Sequence, residues 1–279
     1  MRICGRAAVV LVVLLCSSRV EAQFSVPDPA PAENFTLELG LAFWTPTPEL
    51  LLQTGALARL GEPEVDLVRE FGIEDTRFRD FSVTLKAGRK HKIRFNRLEM
   101  KYDESALLER SFTFGGQVFP VSVPATALLK WDLWRFGYEW DFVAMDRGLL
   151  GLIVDLKYNR VNAELAAEGV GATVTEATAP VPTIGFIARV YPHRAFSITT
   201  EFTGFSVPGF IGDRISDSLS DDDDFEAKLY QFDIYGTLNF GRHLGIQGGY
   251  RRLTADYLVD DDAGDFKMTG WYWGGLLRF

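Results

Sequence analysis

The sequence predicts an all-β protein, one transmembrane up-and-down antiparallel β-barrel of about ten strands. Three observations carry this. Apolar and polar residues alternate with period 2 in one segment after another, each about ten residues long, the length of a tilted spanning strand. Short and long connections alternate between those segments. Beyond the N-terminus, no stretch approaches the ~20 apolar residues that a spanning helix needs. The average composition, 47% hydrophobic and 24% charged over 279 residues, looks water-soluble. In a barrel the two faces of each strand cancel in such an average.

The first 22 residues read as a secretory leader. Arg2 and Arg6 precede an apolar run from Ala7 to Cys16, and Val20-Glu21-Ala22 makes a cleavage site before Gln23. Cys4 and Cys16 both lie in this leader, so the exported chain is expected to lack thiols and disulfides. Leu14-Leu15-Cys16 lacks the small residues of a lipoprotein signal. Taking the leader's three basic residues and one acidic residue from 29 and 38 leaves 26 and 37, a net charge of −11. That argues against nucleic acid as a partner. Pro27, Pro29 and Pro31 mark residues 23–33 as an extended periplasmic linker, which leaves 34–279 for the barrel.

The strands follow in order. Phe35, Leu37, Leu39, Leu41 and Phe43 share the apolar face of the first. The second, near 79–87, offers Phe81, Val83 and Leu85. The third, near 91–102, has Ile93 and Phe95, then Leu98, Met100 and Tyr102, a change of phase that suggests a β-bulge at Asn96-Arg97. The fourth, near 127–142, slips similarly between Leu129, Trp131, Leu133 and the set Trp134, Phe136, Tyr138, Trp140, Phe142. The fifth, near 149–162, runs from Leu150 to Tyr158. The sixth to ninth lie near 181–191, 195–205, 227–240 and 244–256, and the tenth near 266–279. Short turns fall near 88, 145, 193 and 242, and long polar connections at 45–78, 103–126, 163–179, 206–226 and 257–265. Within 45–78, Pro63 to Phe71 reads as a short helix stopped by Gly72. An extra hairpin at Leu50–Leu60 would make twelve strands, and merging weak ones would make eight.

At the C-terminus Trp271, Trp273, Gly275, Leu277 and Phe279 alternate with Tyr272, Gly274, Leu276 and Arg278. A terminal Phe preceded by apolar residues at every second position resembles the closing strand of Gram-negative outer-membrane β-barrels. The resemblance implies an outer-membrane location and recognition by the barrel-assembly machinery. It is to small OmpA-type barrels without a peptidoglycan-binding domain. Outer-membrane lipid and lipopolysaccharide are then the implied surroundings.

Aromatic placement predicts two girdles on the outer surface, Trp44, Tyr102, Trp131, Trp134, Trp271 and Trp273 toward the outer ends of their strands, and Phe35, Trp140, Phe142, Phe240 and Phe279 toward the inner ends. The inward faces are expected to carry Glu38, Arg94, Glu99, Lys101, Asp132, Arg135, Glu139, Asp141, Asp155, Lys157, Arg189, Glu201, Asp233 and Arg278. Mixed signs in a small lumen point to a salt-bridged interior, with a narrow ion path as the alternative. Two acidic clusters occupy long connections: Asp213, Asp217 and Asp221, Asp222, Asp223, Asp224; and Asp260, Asp261, Asp262 with Asp265. Carboxylates so grouped are weak candidates for Ca²⁺ or Mg²⁺, and a solvated acidic loop is the preferred reading.

No catalytic residue and no cofactor is predicted. Omptin proteases and lipid-modifying outer-membrane enzymes are barrels too, with chemistry at the outer rim. Here His91, His193 and His243 all fall beside predicted periplasmic turns, and no GxSxG occurs. Glu139 and Asp141 are left as a carboxylate pair. The sequence therefore favours a structural, interaction or narrow-channel role over an outer-membrane hydrolase or a secreted ligand-binding barrel.

Overall fold

A computed structural model of the chain describes residues 31–53, 65–109, 111–114, 117–207, 225–259 and 262–279. Ten long strands succeed one another: β1 (Leu37–Gln53), β2 (Phe78–Lys86), β3 (His91–Leu107), β4 (Pro124–Met145), β5 (Gly148–Ala167), β6 (Gly171–His193), β7 (Phe196–Val207), β8 (Phe225–Phe240), β9 (Leu244–Val259) and β10 (Asp262–Arg278). Each pairs antiparallel with the next, and β10 returns to β1. The seam runs in register from Glu38 opposite Arg278 to Gln53 opposite Ala263. At its foot the amides of Thr36 and Leu37 donate to the Phe279 carbonyl, at 2.7 and 3.2 Å. A closed sheet leaves no edge of unpaired backbone, the condition for strands to span hydrocarbon.

The barrel class and the ten strands agree with the sequence reading. Leu50–Gln53 add no further strand to the ten-stranded wall, and residues 54–60 of the alternative hairpin lie outside the described residues. Leu50–Gln53 prolong β1 against β10, and a two-residue strand, Val65–Asp66, pairs with Leu51 and Leu52. The short helix is α1 (Leu67–Phe71), with Asp66 accepting from the Arg69 amide and Gly72 closing it at φ 63°. Pro63 lies outside the described residues. The four short turns are where the spacing puts them. Two of the long connections are largely strand instead, while most of 206–226 lies outside the described residues. β5 and β6 run on through most of 163–179, leaving residues 168–170 between them, and β9 and β10 leave 260–261. Between β3 and β4 a small hairpin forms, Phe112–Phe114 with Gln117–Phe119.

The walls therefore stand taller than a bilayer, and their alternation inverts partway up. In the half nearer the short turns, outward residues are apolar and exposed: Leu150, Leu152, Val154 and Leu156 on β5, Phe136, Tyr138, Trp140 and Phe142 on β4. Their inward neighbours are Asp155 and Lys157, Arg135, Glu139 and Asp141, all buried. Higher up, the outward positions become charged: Arg97, Glu99 and Lys101 on β3, Asp132 on β4, Arg160 on β5. There the inward positions are apolar: Leu98, Met100 and Tyr102, Trp131 and Leu133, Leu165.

This inversion accounts for the phase changes that the sequence suggested were bulges. β3 keeps continuous register with both neighbours through Asn96-Arg97, and β4 keeps it through Leu133-Trp134. The irregularity in β4 lies lower, between Trp140 and Val143. Leu98, Met100, Tyr102, Leu129, Trp131 and Leu133 consequently face inward, while Glu99, Lys101 and Asp132 face outward. The girdles change too. Trp44, Tyr102 and Trp131 are interior, as is Phe35 near the foot, whereas Trp271, Trp273, Trp140, Phe142, Phe240 and Phe279 remain on the outside. The reason is environmental. Below, the outside favours apolar groups and the closed interior must hold polar ones. Above, the wall behaves as an ordinary soluble barrel with an apolar core.

Candidate functional site: a lumen sealed in two layers

The upper layer of the interior is apolar. Trp44, Leu50, Leu98, Met100, Trp131, Leu133, Leu229, Leu253 and Met268 pack together, and Phe71 of α1 and Ile73 close over them. Trp44 is wholly buried and its indole N–H donates to the Gly270 carbonyl at 3.2 Å. Tyr102 meets Phe78 edge to face, with centroids 5.2 Å apart. Water has no reason to thread such a layer.

Beneath it lies an ionic layer. Among the described residues it joins the acids Glu33, Glu38, Asp80, Glu139, Asp141, Asp155, Glu201 and Asp233 to the bases Lys86, Lys92, Arg94, Arg135, Lys157, Arg189, Arg251 and Arg278. Eight of each sign cancel. Glu201 takes Arg94 and Arg135, at 2.7 and 2.5 Å. Arg135 also reaches Asp155, and Arg94 reaches Glu139 at 3.2 Å. Arg251 bridges Asp80 and Asp233, both at 2.6 Å, with Trp44 and Tyr272 rings beside its guanidinium. Lys157 caps the network, donating to Thr203 at 2.8 Å and Gln231 at 2.9 Å. Partners on different strands span the bore, so the pairs cross-link the wall and fill it. A cavity of about 100 Å³ remains among Arg94, Glu139, Glu201 and Arg251, room for a few waters.

The foot is closed by the segment before β1. Pro31–Glu33 forms one 3-10 turn, and Ala32, Glu33 and Phe35 are buried. The end of the expected linker is thus part of the barrel. Glu33 meets Lys92 at 3.5 Å and Lys86 at 3.6 Å, binds Arg189, and accepts from the Tyr191 hydroxyl at 2.7 Å. Burial would raise its carboxyl, but Lys92, Arg189 and Lys86 outweigh burial and hold it well below the usual carboxylate range.

Of the charges expected inside, all but Glu99, Lys101 and Asp132 converge in this network. Alternation missed Glu33, which precedes any strand. It also passed over Asp80, Lys86, Lys92 and Arg251, although each shares a phase with the lumen face of its strand. The carboxylates Glu139 and Asp141 are brought together by Lys92, at 2.7 and 3.0 Å. The histidines sit at the short-turn end as predicted: His91 beside the Tyr138 hydroxyl at 2.6 Å, His193 with the Ala195 amide at 3.1 Å, His243 with the Arg278 carbonyl at 3.0 Å. Asp213, Asp217, Asp221 to Asp224, Asp260 and Asp261 lie outside the described residues. Asp262 opens β10, and Asp265 stands opposite Asp256 of β9. Trp271, Trp273, Gly275, Leu277 and Phe279 all face outward, on the alternate positions the sequence assigned them.

This architecture has a counterpart of known structure. Over 87% of this chain and 96% of the other, it superposes on the outer-membrane protease OmpT of Escherichia coli with a TM-score of 0.54 and 9% identity. The two share the fold of a closed, ten-stranded antiparallel β-barrel. Further matches are the toluene transporter TodX of P. putida (TM-score 0.38, 8% identity, 91% and 93% covered) and Ail, the attachment invasion locus protein of Yersinia pestis (0.35, 9%, 87% and 99%). The chain matches no protein-family model and no curated protein.

Proposed function

We propose that the chain is exported by its leader and inserted into the outer membrane, where it is a closed, non-conducting and non-enzymatic barrel with a structural or interaction role. The inversion of both wall faces at one level carries this reading. It supplies an apolar band for the bilayer and a water-facing upper wall. The filled interior favours this role over a conduit, and supports the likeness to small OmpA-type barrels. Where the band ends, outward cations gather: Arg79, Arg97, Lys130, Arg160, Arg252 and Lys267. Arg97 lies over the Trp134 ring at 4.7 Å. Such a collar suits the phosphates of lipopolysaccharide, and the short turns are then periplasmic. The outward Trp271, Trp273, Leu277 and Phe279 suit recognition by the barrel-assembly machinery. Against catalysis, Glu139 and Asp141 are buried beneath the apolar layer and engaged by Lys92.

The test is expression in a Gram-negative host with an epitope after Ser220 or beside His193. The first epitope is accessible on intact cells and the second only after permeabilisation. Wild-type chain in the soluble periplasmic fraction refutes the reading. Purified barrel leaves lipid A, phospholipid and peptide libraries unchanged. Turnover lost on substituting one inward carboxylate, with folding intact, refutes the non-enzymatic part.

A further inference from the structure

The rim that carries the short turns has a charge opposite to that of the protein as a whole. The formal net charge of the chain is −9, yet its four short turns hold Arg89 and Lys90, Arg147, Arg194 and Arg242 against one acid, Asp146. Arg242 is exposed at the tip of the turn joining β8 to β9. Phe240 and Leu244, the residues flanking that turn, also line an apolar groove of about 460 Å³ on the outside of the barrel. The groove climbs the seam between Leu39 and Leu41 of β1 and Ile246 of β9, with β10 as its floor.

The floor is hollow because of Gly275. It takes an outward position between Trp273 and Leu277, where every second residue is otherwise large. Neither backbone nor packing demands glycine there. Its φ lies outside the left-handed region, and an added Cβ meets only the Gly245 carbonyl, at 3.9 Å. Five other glycines of the wall, Gly148, Gly185, Gly249, Gly270 and Gly274, would drive a Cβ into neighbouring backbone. The effect of Gly275 is the groove itself.

We infer that this groove is a binding site for an anionic phospholipid of the leaflet at the short-turn end, one acyl chain lying along Gly275 and the headgroup phosphate held by Arg242. Guanidinium and phosphate form paired, charge-assisted hydrogen bonds, and the interface excludes competing water from one side. A lipid is favoured over a free phosphate because Arg242 sits on a turn whose two flanking residues, Phe240 and Leu244, line the apolar groove. The inference rests on the membrane reading above.

Refolded full-length barrel is exchanged into zwitterionic phosphatidylcholine nanodiscs containing a minor fraction of phosphatidylglycerol, and retained lipid is read by native mass spectrometry. Wild type keeps one phosphatidylglycerol, with about tenfold preference over phosphatidylcholine, about 1.4 kcal/mol. Gly275→Leu, which fills the groove, and Arg242→Gln, which removes the cation, each abolish the preference. Arg194→Gln, on a turn away from the groove, leaves it unchanged. Retention undiminished in Gly275→Leu, equal loss in Arg194→Gln, or equal competition by glycerol phosphate overturns the site. All variants are checked for the heat-dependent shift in gel mobility of a closed barrel. A chain that shows no such shift in phosphatidylcholine defeats the membrane reading instead, and one that inserts but keeps no phosphatidylglycerol defeats only this inference.

Discussion

Arg97 and Leu98 are adjacent in β3 and have opposite surroundings, so a pair of alanine substitutions tests the inversion directly. Leu98 is 1% exposed inside the apolar layer, against Met100, Trp131 and their neighbours. Truncating a Leu in such a place removes its transfer energy and leaves a cavity, about 2–5 kcal/mol. The Arg97 side chain is 42% exposed, and its ion pairs are long, 3.4 Å to Asp132 and 3.5 Å to Glu99. Exposed pairs contribute about 0.2–1 kcal/mol, and an exposed guanidinium over a ring about 0.5–1. Leu98→Ala should therefore cost about 3 kcal/mol and Arg97→Ala about 1. The assay is reversible urea unfolding of barrel refolded into lipid vesicles, followed by tryptophan emission. A bulge at Asn96-Arg97 would turn Leu98 to lipid and Arg97 into the lumen. The order of costs would then reverse, and that result refutes the argument.

Three further outcomes follow from the ionic layer. Glu201→Gln strips a buried partner from Arg94 and Arg135 and should cost about 3–5 kcal/mol in the same unfolding assay, whereas Glu49→Gln, at an exposed pair with Lys267, should cost below about 1. Glu33 has a depressed carboxyl in the folded state, so its stabilisation is full above the unfolded value of about 4.3 and is lost as pH falls toward the folded one. The stability difference between wild type and Glu33→Gln should shrink across that acid range, and a difference that grows on acidification contradicts the proposed pairing. Reconstituted barrel in planar bilayers should give only rare, small conductance steps, and steady porin-sized current shows that the two layers do not seal the bore.

The period of the strands was legible because alternation is a direct image of a wall between two media. Leu150 to Leu156 and Phe136 to Phe142 announced their strands without ambiguity. The height at which the media exchange places was not legible strand by strand. In a single strand, Phe95 followed by Leu98 reads equally as a bulge or as a change of surroundings. The discriminating signal was present across strands. β3 and β4 change phase at Arg97 and Trp134, which stand opposite each other in the register, and a bulge seldom recurs at the same level. Polar residues in the upper wall, such as Glu164, made strand look like loop for the same reason: there the outward face meets water. Most of the ionic layer followed from alternation, because inward charges in a closed lumen must pair. Glu33 did not follow, since a residue outside any strand has no phase, and only the three-dimensional convergence of Lys86, Lys92, Arg189 and Tyr191 marks its role.

The seam has a consequence for the order of assembly. Arg278 binds Glu38 across 240 residues of chain, and every hydrogen bond between β1 and β10 spans a comparable separation. Contacts so distant in sequence form late, after the intervening loops have been brought together. Until then β1 presents an open, apolar edge that invites pairing with any passing strand. The Glu33 turn sits immediately upstream of that edge, and its partners Lys86, Lys92 and Arg189 lie on strands from both halves of the wall. Its carboxylate can therefore be fully satisfied only once the sheet has curled round. The bottom stopper is set by the same event that joins the ends of the sheet, so an incompletely closed barrel is also an unplugged one.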